Sequence, residues 1–341
     1  MKCSVVILNW NGEQMLRQYL PSVLAHTQSS DVEIVVADNG STDGSVSYLL
    51  TQPVRLIQLD KNYGFAEGYN RAIAQIESEY VVLLNSDVEV TPHWLDTMLD
   101  YMDTHPLTLA AQPKVLAWQS KQDYHAGHCQ AIRFEHAGAA GGMMDILGYP
   151  YCRGRLMTHV EEDHGQYDHS TPIFWATGAC LLMRMRIYKE LGGLDAHFFA
   201  HQEEIDLCWR LLNYAPSTDN AHVLVSLPQA VVYHLGGGTL GYSNPRKTYL
   251  NFRNNLLMLY KNLPHTHRWW IMILRFFMDY LAAAQMLLTG QWGNVLAVVK
   301  ARLAYHRMKR MYTPNGDKSR GFQLLTRRSI VIDYYLKGMR T

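Results

Sequence analysis

A chain of 341 residues that is 48% apolar and 18% charged carries enough apolar side chain for a sizeable core and too little charge for a disordered polyelectrolyte. Its formal net charge of +1 removes the global case for nucleic-acid binding, although Lys300, Arg302, Arg307, Lys309 and Arg310 crowd near the C-terminal end. Cys3, Cys129, Cys152, Cys180 and Cys208 are odd in number, scattered and free of any CxxC, so neither a disulfide framework nor a structural zinc site is expected and the chain reads as intracellular.

The N-terminal apolar run is too short for a signal peptide and reads as the first buried strand, over residues 4–8. Further Val/Ile/Leu-rich runs at 33–37, 54–59 and 80–84 are bounded by turn residues, and the stretches 13–26 and 45–50 between them carry helical spacing. That alternation predicts an α/β fold with a mostly parallel sheet covered on both faces. In such sheets ligands bind beyond the carboxyl ends of the strands, where Asn9, Asp38, Asn62 and Asp87 all fall. Any one of them alone is readily a turn cap, but at the ends of successive strands they converge on one edge. Together with Glu203-Glu-Ile-Asp206 they outline a site for a nucleoside diphosphate, a divalent cation and a general base, which is the equipment of group transfer.

Later segments add to this outline. Asn62-Tyr-Gly-Phe-Ala-Glu-Gly-Tyr-Asn-Arg71 has glycines where a backbone bends or approaches a ligand before a helical start, and it either borders the donor diphosphate or is an ordinary strand-to-helix turn. Residues 128–168, rich in glycine and aromatics, have the length of an insertion and read as an acceptor-binding lid or a partner-binding loop. Three acids in four residues at Glu203, Glu204 and Asp206, beside apolar neighbours, are unusual for a solvated face; Asp206 and Arg210 share a helix face, so a structural ion pair is as good a reading there as catalysis. His234 ends an apolar run before Gly236-Gly-Gly238, and Arg246, Lys247 and Arg253 beyond it are either phosphate clamps or surface cations. Past residue 262 the character changes. Residues 269–288 are long enough to span a bilayer, but Arg275 and Asp279 sit on one face near its centre. A helix lying in the membrane interface, followed by a cationic helix over 295–310, is one reading, and a buried helical hairpin used for dimerisation is the other. The expected division is a catalytic domain over 1–262 and a helical, membrane-associated or dimerising region over 263–341.

Val5-Val-Ile-Leu-Asn-Trp-Asn-Gly12, Val36-Ala-Asp-Asn-Gly-Ser-Thr-Asp-Gly-Ser45, the 62–70 segment and Leu83-Leu-Asn-Ser-Asp87 together resemble the family 2 inverting glycosyltransferases, over roughly residues 3–260, and within them the bacterial rhamnosyltransferase-like branch that builds surface polysaccharides. The resemblance implies a GT-A fold, a Rossmann-like nucleotide-diphospho-sugar transferase with a C-terminal helical appendage here, and Mn²⁺ or Mg²⁺ as cofactor. It implies donor binding by Leu8, Asn9, Asp38, Asn39, Asn62, Gly64, Asn70, Asn85 and Ser86, and metal ligation by Asp87 and His234. Acceptor contacts are implied for Trp175, Gly178 and Ala179, and phosphate contacts for Arg246, Lys247 and Arg253. The family's Asp-x-Asp stands here as Asn85-Ser86-Asp87, which makes Asp87 the stronger ligand. The catalytic base maps to Glu204, where the family usually has Asp, with Glu203 as runner-up, and Arg253-Asn254 matches a recurrent family pair.

The implied partners are a nucleotide-diphosphate sugar, a lipid-linked or polysaccharide acceptor and the membrane surface, with a homodimer possible and no nucleic acid. The implied location is the cytoplasm, peripheral on the inner face of the cell membrane. The Gln-x-x-Arg-Trp motif of processive synthases is absent, which favours transfer of one sugar. Two other classes stay open. A sugar nucleotidyltransferase would want a Gly-rich phosphate loop where Asn9-Trp-Asn-Gly12 stands, and a non-catalytic nucleotide- or carbohydrate-binding module would have no need of Glu204.

Overall fold

A computed structural model describes residues 1–215, 222–236, 244–314 and 320–340. It opens with β1 (Cys3–Asn9), α1 (Glu13–His26), β2 (Val32–Asp38), α2 (Ser45–Leu49), β3 (Arg55–Gln58), α3 (Gly64–Ile73) and β4 (Tyr80–Asn85). The four strands pair in parallel in the order β4-β1-β2-β3. Their apolar residues serve two layers, Val6, Val35, Val81 and Leu83 packing to one side and Val5, Ile7, Val36, Val82 and Leu84 to the other. This explains why the strands read as continuous apolar runs instead of alternating ones. Helix α1 packs on the sheet through Leu16, Tyr19, Leu20 and Val23, an i, i+3, i+4, i+7 stripe.

The chain continues through β5 (Val88–Val90), α4 (Trp94–Thr104), β6 (Ala110–Ala117), α5 (Trp118–His125), the short strands β7 (Gly142–Met144), β8 (Pro150–Cys152), β9 (Arg155–Leu156), β10 (His159–Val160) and β11 (Thr171–Pro172), then β12 (Cys180–Arg184), α6 (Met185–Glu190), α7 (Glu203–Tyr214) and β13 (Leu224–His234). The main sheet has nine strands among the described residues, ordered β11-β13-β6-β12-β4-β1-β2-β3 with β5 paired to β13. Strand β12 runs antiparallel between β4 and β6, whereas β13 runs parallel to β6. The sheet is therefore mixed and mostly parallel, as expected from the N-terminal alternation.

The 128–168 segment is not a free lid. Strands β7 to β10 form a separate four-stranded antiparallel sheet, and Phe134 and Ala140 before it, with Met144 and Cys152 in it, belong to the main core. The helices that follow are α8 (Pro245–Asn262), α9 (His265–Leu288), α10 (Trp292–Met308), α11 (Arg320–Gln323) and α12 (Ile330–Tyr335), and α8, α9 and the start of α12 hold the turn between β7 and β8. Asn255 of α8 donates to the Gly148 carbonyl at 2.9 Å, Arg275 of α9 to the Leu147 carbonyl at 3.1 Å, and the Ile330 N–H to Asp145 Oδ2 at 3.0 Å.

Helix α9 is organised opposite to an ordinary amphipathic helix. Its buried stripe is Ile271, Arg275, Asp279 and Ala283, so the two charges face inward. Arg275 lies 3.3 Å from Asp279 Oδ1 and 2.5 Å from Asn255 Oδ1, and Arg302 of α10 reaches Asp279 Oδ2 at 2.5 Å. The pair that looked like an interruption in an apolar helix is the cross-link that holds α9 to α8 and α10.

Candidate active site

The carboxyl ends of β1, β2 and β4 lie side by side, with Asn9 in register with Asp38 and Leu8 with Asn85. Asn9 Nδ2 donates to Asp38 Oδ1 at 3.0 Å and to Ser41 Oγ at 3.2 Å, while the Ser41 N–H donates to Asp38 Oδ2 at 2.9 Å. Asp38 is buried with each oxygen holding one donor, which leaves lone pairs for a ligand. The Asn9 Oδ1 is buried with no partner, and a Cβ on residue 12 would stand 2.4 Å from it, so the close passage of the chain there requires glycine. Leu8 is partly buried against Gly68. Asn39 Nδ2 donates to the Gly64 carbonyl at 3.0 Å and to Asn62 Oδ1 at 3.2 Å, and its Oδ1 accepts the Tyr63 N–H. Asn39 and Asn62 thus shape the β2 and β3 turns into one wall.

Asn85, at the end of β4, leads through Ser86 into Asp87. Asp87 Oδ1 lies 3.2 Å from His234 Nε2 at the end of β13, and Asn85 Nδ2 lies 3.5 Å from the same nitrogen. On its other side the imidazole Nδ1 faces Glu135 Oε2 at 3.5 Å, and Glu135 accepts the Ala137 N–H. Burial alone would lower the His234 pKa, but the charge and hydrogen bond of Asp87, joined by Glu135, raise it to about 10. The same contact holds Asp87 below the ordinary carboxylate range although burial works to raise it. Among the described residues no three His, Cys, Asp or Glu side chains close a metal site by themselves. One carboxylate oxygen and one imidazole nitrogen converge here; a cation binding them would have to displace the proton held on the imidazole, and the donor set then suits Mn²⁺ or Mg²⁺ when phosphate oxygens and water supply the remaining ligands.

Glu203 and Glu204 begin α7. Both carry a buried Oε2 without a partner, and burial drives both pKa values upward, Glu204 to about 7. Glu203 is the more deeply buried of the two, at 4% exposure. Glu204 lies over Gly178, where an added Cβ would meet the Phe65 ring at 3.2 Å and the Glu204 Cβ at 3.8 Å. Phe65 belongs to α3, on the donor side, so Gly178 marks the meeting point of that side with the carboxylate.

The loop before α7 is strained. Phe199, His201 and Gln202 have φ of 65°, 69° and 72°, a region that non-glycine residues rarely adopt. Helix α8 over-determines that loop. Arg253 donates to the His197 and Phe198 carbonyls at 3.0 and 2.9 Å, and Asn254 Nδ2 reaches the carbonyls of Phe198, Ala200 and His201 at 3.0, 2.9 and 2.7 Å. One turn and more further on, Lys261 and Asn262 bind Asp206 at 2.9 Å each, and Asp206 also takes Arg210 at 2.9 Å. The structural reading of Asp206 is the one observed.

Several residues expected to touch ligands are occupied elsewhere. Arg253 is buried and committed to the strained loop, so it does not lie open over phosphates. Asn70 holds the Leu194 carbonyl and N–H and accepts the Tyr188 hydroxyl, which removes it from the donor wall. Trp175 is buried, donates to the Met143 carbonyl at 2.8 Å and packs its indole on Gly142, leaving no face for an acceptor. Ala179 is core, its carbonyl taken by the Asn85 N–H at 3.0 Å. The close approach allowed by Gly64, at φ 81°, is to the Phe199 ring and not to a ligand. Arg246 stacks over Phe199 with its guanidinium 5.2 Å from the ring centroid. Lys247 faces Glu135, whose charge works against the burial that lowers the ammonium pKa. Residues 237–239 of the Gly-rich stretch lie outside the described residues. Glu135 and His201 went unread in the sequence, because nothing local distinguishes them; the β6 to β13 pairing is what brings the 135 loop to His234.

Residues 4–192 match the family model described as "Glycosyl transferase family 2". The chain belongs to glycosyl transferase family 2. As a member it transfers a sugar from a nucleotide-sugar donor, and of the three classes left open by the sequence the glycosyltransferase is the one selected. Its curated relatives include the N-acetylglucosaminyl-diphospho-decaprenol L-rhamnosyltransferase of Mycobacterium tuberculosis, 27% identical over 237 residues, 64% of this chain and 75% of that protein. The O-antigen biosynthesis protein RfbC of Myxococcus xanthus is 29% identical over 62% of this chain but only 16% of its own length. Among solved structures, S. aureus TarS 1-349 in complex with UDP-GlcNAc superposes with TM-score 0.53 at 17% identity, covering 91% of this chain and 85% of that one. GalNAc-T7 with UDP, GalNAc and Mn²⁺ gives TM-score 0.55 at 15% identity over 76% of this chain, which spans about half (47%) of that neighbour. These neighbours establish the GT-A fold. The family match takes in Asn9, Asp38, Asp87 and Gly178 and stops before Glu204 and His234, so geometry alone speaks for those two.

Proposed function

We propose that this family 2 enzyme is an inverting, metal-dependent hexosyltransferase that moves one sugar from a nucleoside-diphosphate sugar to a lipid-linked or polysaccharide acceptor in cell-surface glycan assembly. The observation that carries the reading is Glu204, a half-buried side chain whose Oε2 is buried and unpaired and whose pKa is pushed to about 7, next to the Gly178 and Phe65 surface. A carboxylate tuned to that range takes a proton efficiently near neutral pH. Asp38, with Asn9 behind it, receives the donor's nucleoside. The acceptor hydroxyl gives its proton to Glu204 as its oxygen bonds to the anomeric carbon, and the bond from that carbon to the diphosphate breaks on the opposite face. A divalent cation between Asp87 and His234 would offset the charge gathering on the leaving diphosphate. Glu135 orients His234 from behind, as outer carboxylates commonly do for imidazole ligands. Support for a lipid-linked acceptor comes from the name of the mycobacterial relative, and support for Mn²⁺ from the ions crystallised with GT-A neighbours. Such an acceptor sets the work at the inner face of the cell membrane.

The test is transfer from a panel of nucleotide sugars to an N-acetylglucosaminyl-diphospho-lipid, with the product's anomeric configuration read by NMR. Inversion that is lost in Glu204→Gln supports the reading. Net retention, or full turnover by Glu204→Gln, contradicts it.

A further inference from the structure

The outer face of α9 is apolar and uncovered. Ile273, Phe276, Phe277, Tyr280, Leu281 and Leu288 are all exposed, Phe277 by 64% and Leu288 by 88%, on a helix that buries only its Arg275 and Asp279 stripe. A run of this size on a folded protein marks a surface that something else covers. The helix is long and apolar enough to cross a membrane by length and composition. Its ion pairs argue against that placement, because Arg275, Asp279 and Arg302 tie the helix along its length to α8, α10 and the 145–149 turn of the catalytic core. Phe276 and Tyr280 lie over the Arg302 guanidinium, at 4.8 and 5.6 Å, and seal the cluster from outside. The helix is thus fixed flat against the protein with its aromatic side outward.

Charge identifies the partner. From residue 263 onward the described residues include twelve Lys and Arg but only two acids, Asp279 and Asp333, and both acids are buried and paired. No carboxylate of this region therefore reaches the surface among the described residues. On α10 the exposed Trp292, Leu296, Lys300, Leu303 and Arg307 recur at helical spacing, so one stripe carries both apolar groups and cations, and the exposed Arg310 follows just past its end. Long basic side chains beside aromatic and aliphatic anchors are the pattern that lies in the plane of an anionic bilayer surface. A second copy of this chain would meet the same cationic stripe and be repelled.

We infer that the outer faces of α9 and α10 form an in-plane docking surface for anionic lipid, with the α9 aromatics inserted at the headgroup boundary and the α10 cations on the phosphates. The surface does not depend on the acceptor's identity, and vesicles free of any acceptor test it. Full-length protein would be floated with phosphatidylcholine vesicles, with and without phosphatidylglycerol. Binding is expected with phosphatidylglycerol, falling by about tenfold or more when Lys300→Glu and Arg307→Glu are combined. Loss is also expected in Phe277→Ser with Leu281→Ser, two exposed positions whose variant should keep its thermal midpoint and donor binding. Absence of binding to either vesicle overturns the inference, as does binding that neither variant weakens. A dimer in light scattering that Phe277→Ser with Leu281→Ser converts to monomer assigns the face to a second copy and overturns it equally.

Discussion

The Asn254 side chain donates to the His201 backbone carbonyl at 2.7 Å, and the same amide group reaches the carbonyls of Phe198 and Ala200. Those carbonyls belong to the loop with positive φ at Phe199, His201 and Gln202, immediately before Glu203 and Glu204. A strained loop keeps one shape only while its surroundings hold it there. Asn254→Ala leaves buried carbonyls unpaired and is expected to cost about 1–3 kcal/mol in denaturant unfolding. Because Glu204 follows the loop directly, kcat should fall while donor affinity, set at Asp38 and Asp87, stays near wild type. Equal losses in both would assign Asn254 to stability alone.

Glu204→Gln removes the proton acceptor without changing the side chain's size. Turnover is expected to drop about 10²-fold or more with donor affinity retained. Glu203→Gln, more buried, should lose far less. Steady-state kinetics with calorimetric donor titration separates the two carboxylates.

The raised pKa of Glu204 carries two pH signatures of opposite sign. Activity needs the carboxylate, so kcat/KM should climb as pH rises through about 7 and fall on the acid side. Stability runs the other way. The folded pKa lies above the ordinary glutamate value of 4.5, so the carboxyl's contribution is most favourable below that value and is lost as pH rises to about 7. Glu204→Gln escapes that loss, and its thermal midpoint should gain on wild type between those two pH values. A pH-independent difference in midpoint would contradict the buried placement of Glu204.

Asp279 sits between Arg275 and Arg302 with no solvent exposure of its side chain. Removing one partner of such a cluster strands buried charge, so Asp279→Ala is expected to destabilise by about 3–5 kcal/mol. The loss should appear as early melting of the C-terminal helices, followed by hydrogen exchange. A change near zero would mean that the cluster is solvated.

The parallel strands and their polar ends were legible because a strand buried on both faces leaves an uninterrupted apolar run, and Asp38 closes β2 while Asp87 follows two residues after β4. The direction of a side chain is not written that way. Asn70, Trp175 and Arg253 have the residue types of ligand contacts, yet each turns toward a backbone group that only the folded chain brings near. Glu135 was hidden for the converse reason, since its relation to His234 is created by strand pairing across distant sequence. In α9 the sequence showed an apolar helix with two charges, but which face those charges take is decided by Arg302 and Asn255, on other helices.

The central claim, a nucleoside-diphosphate site whose cation rests on Asp87, is tested most directly by thermal shift with UDP, dTDP, GDP and CMP, each with and without Mn²⁺, on wild type and Asp87→Ala. The account predicts that one diphosphate stabilises the wild type selectively, that Mn²⁺ enlarges the shift, and that Asp87→Ala abolishes the Mn²⁺ increment. A folded wild type that no nucleotide stabilises, or a shift that Asp87→Ala leaves unchanged, would contradict it.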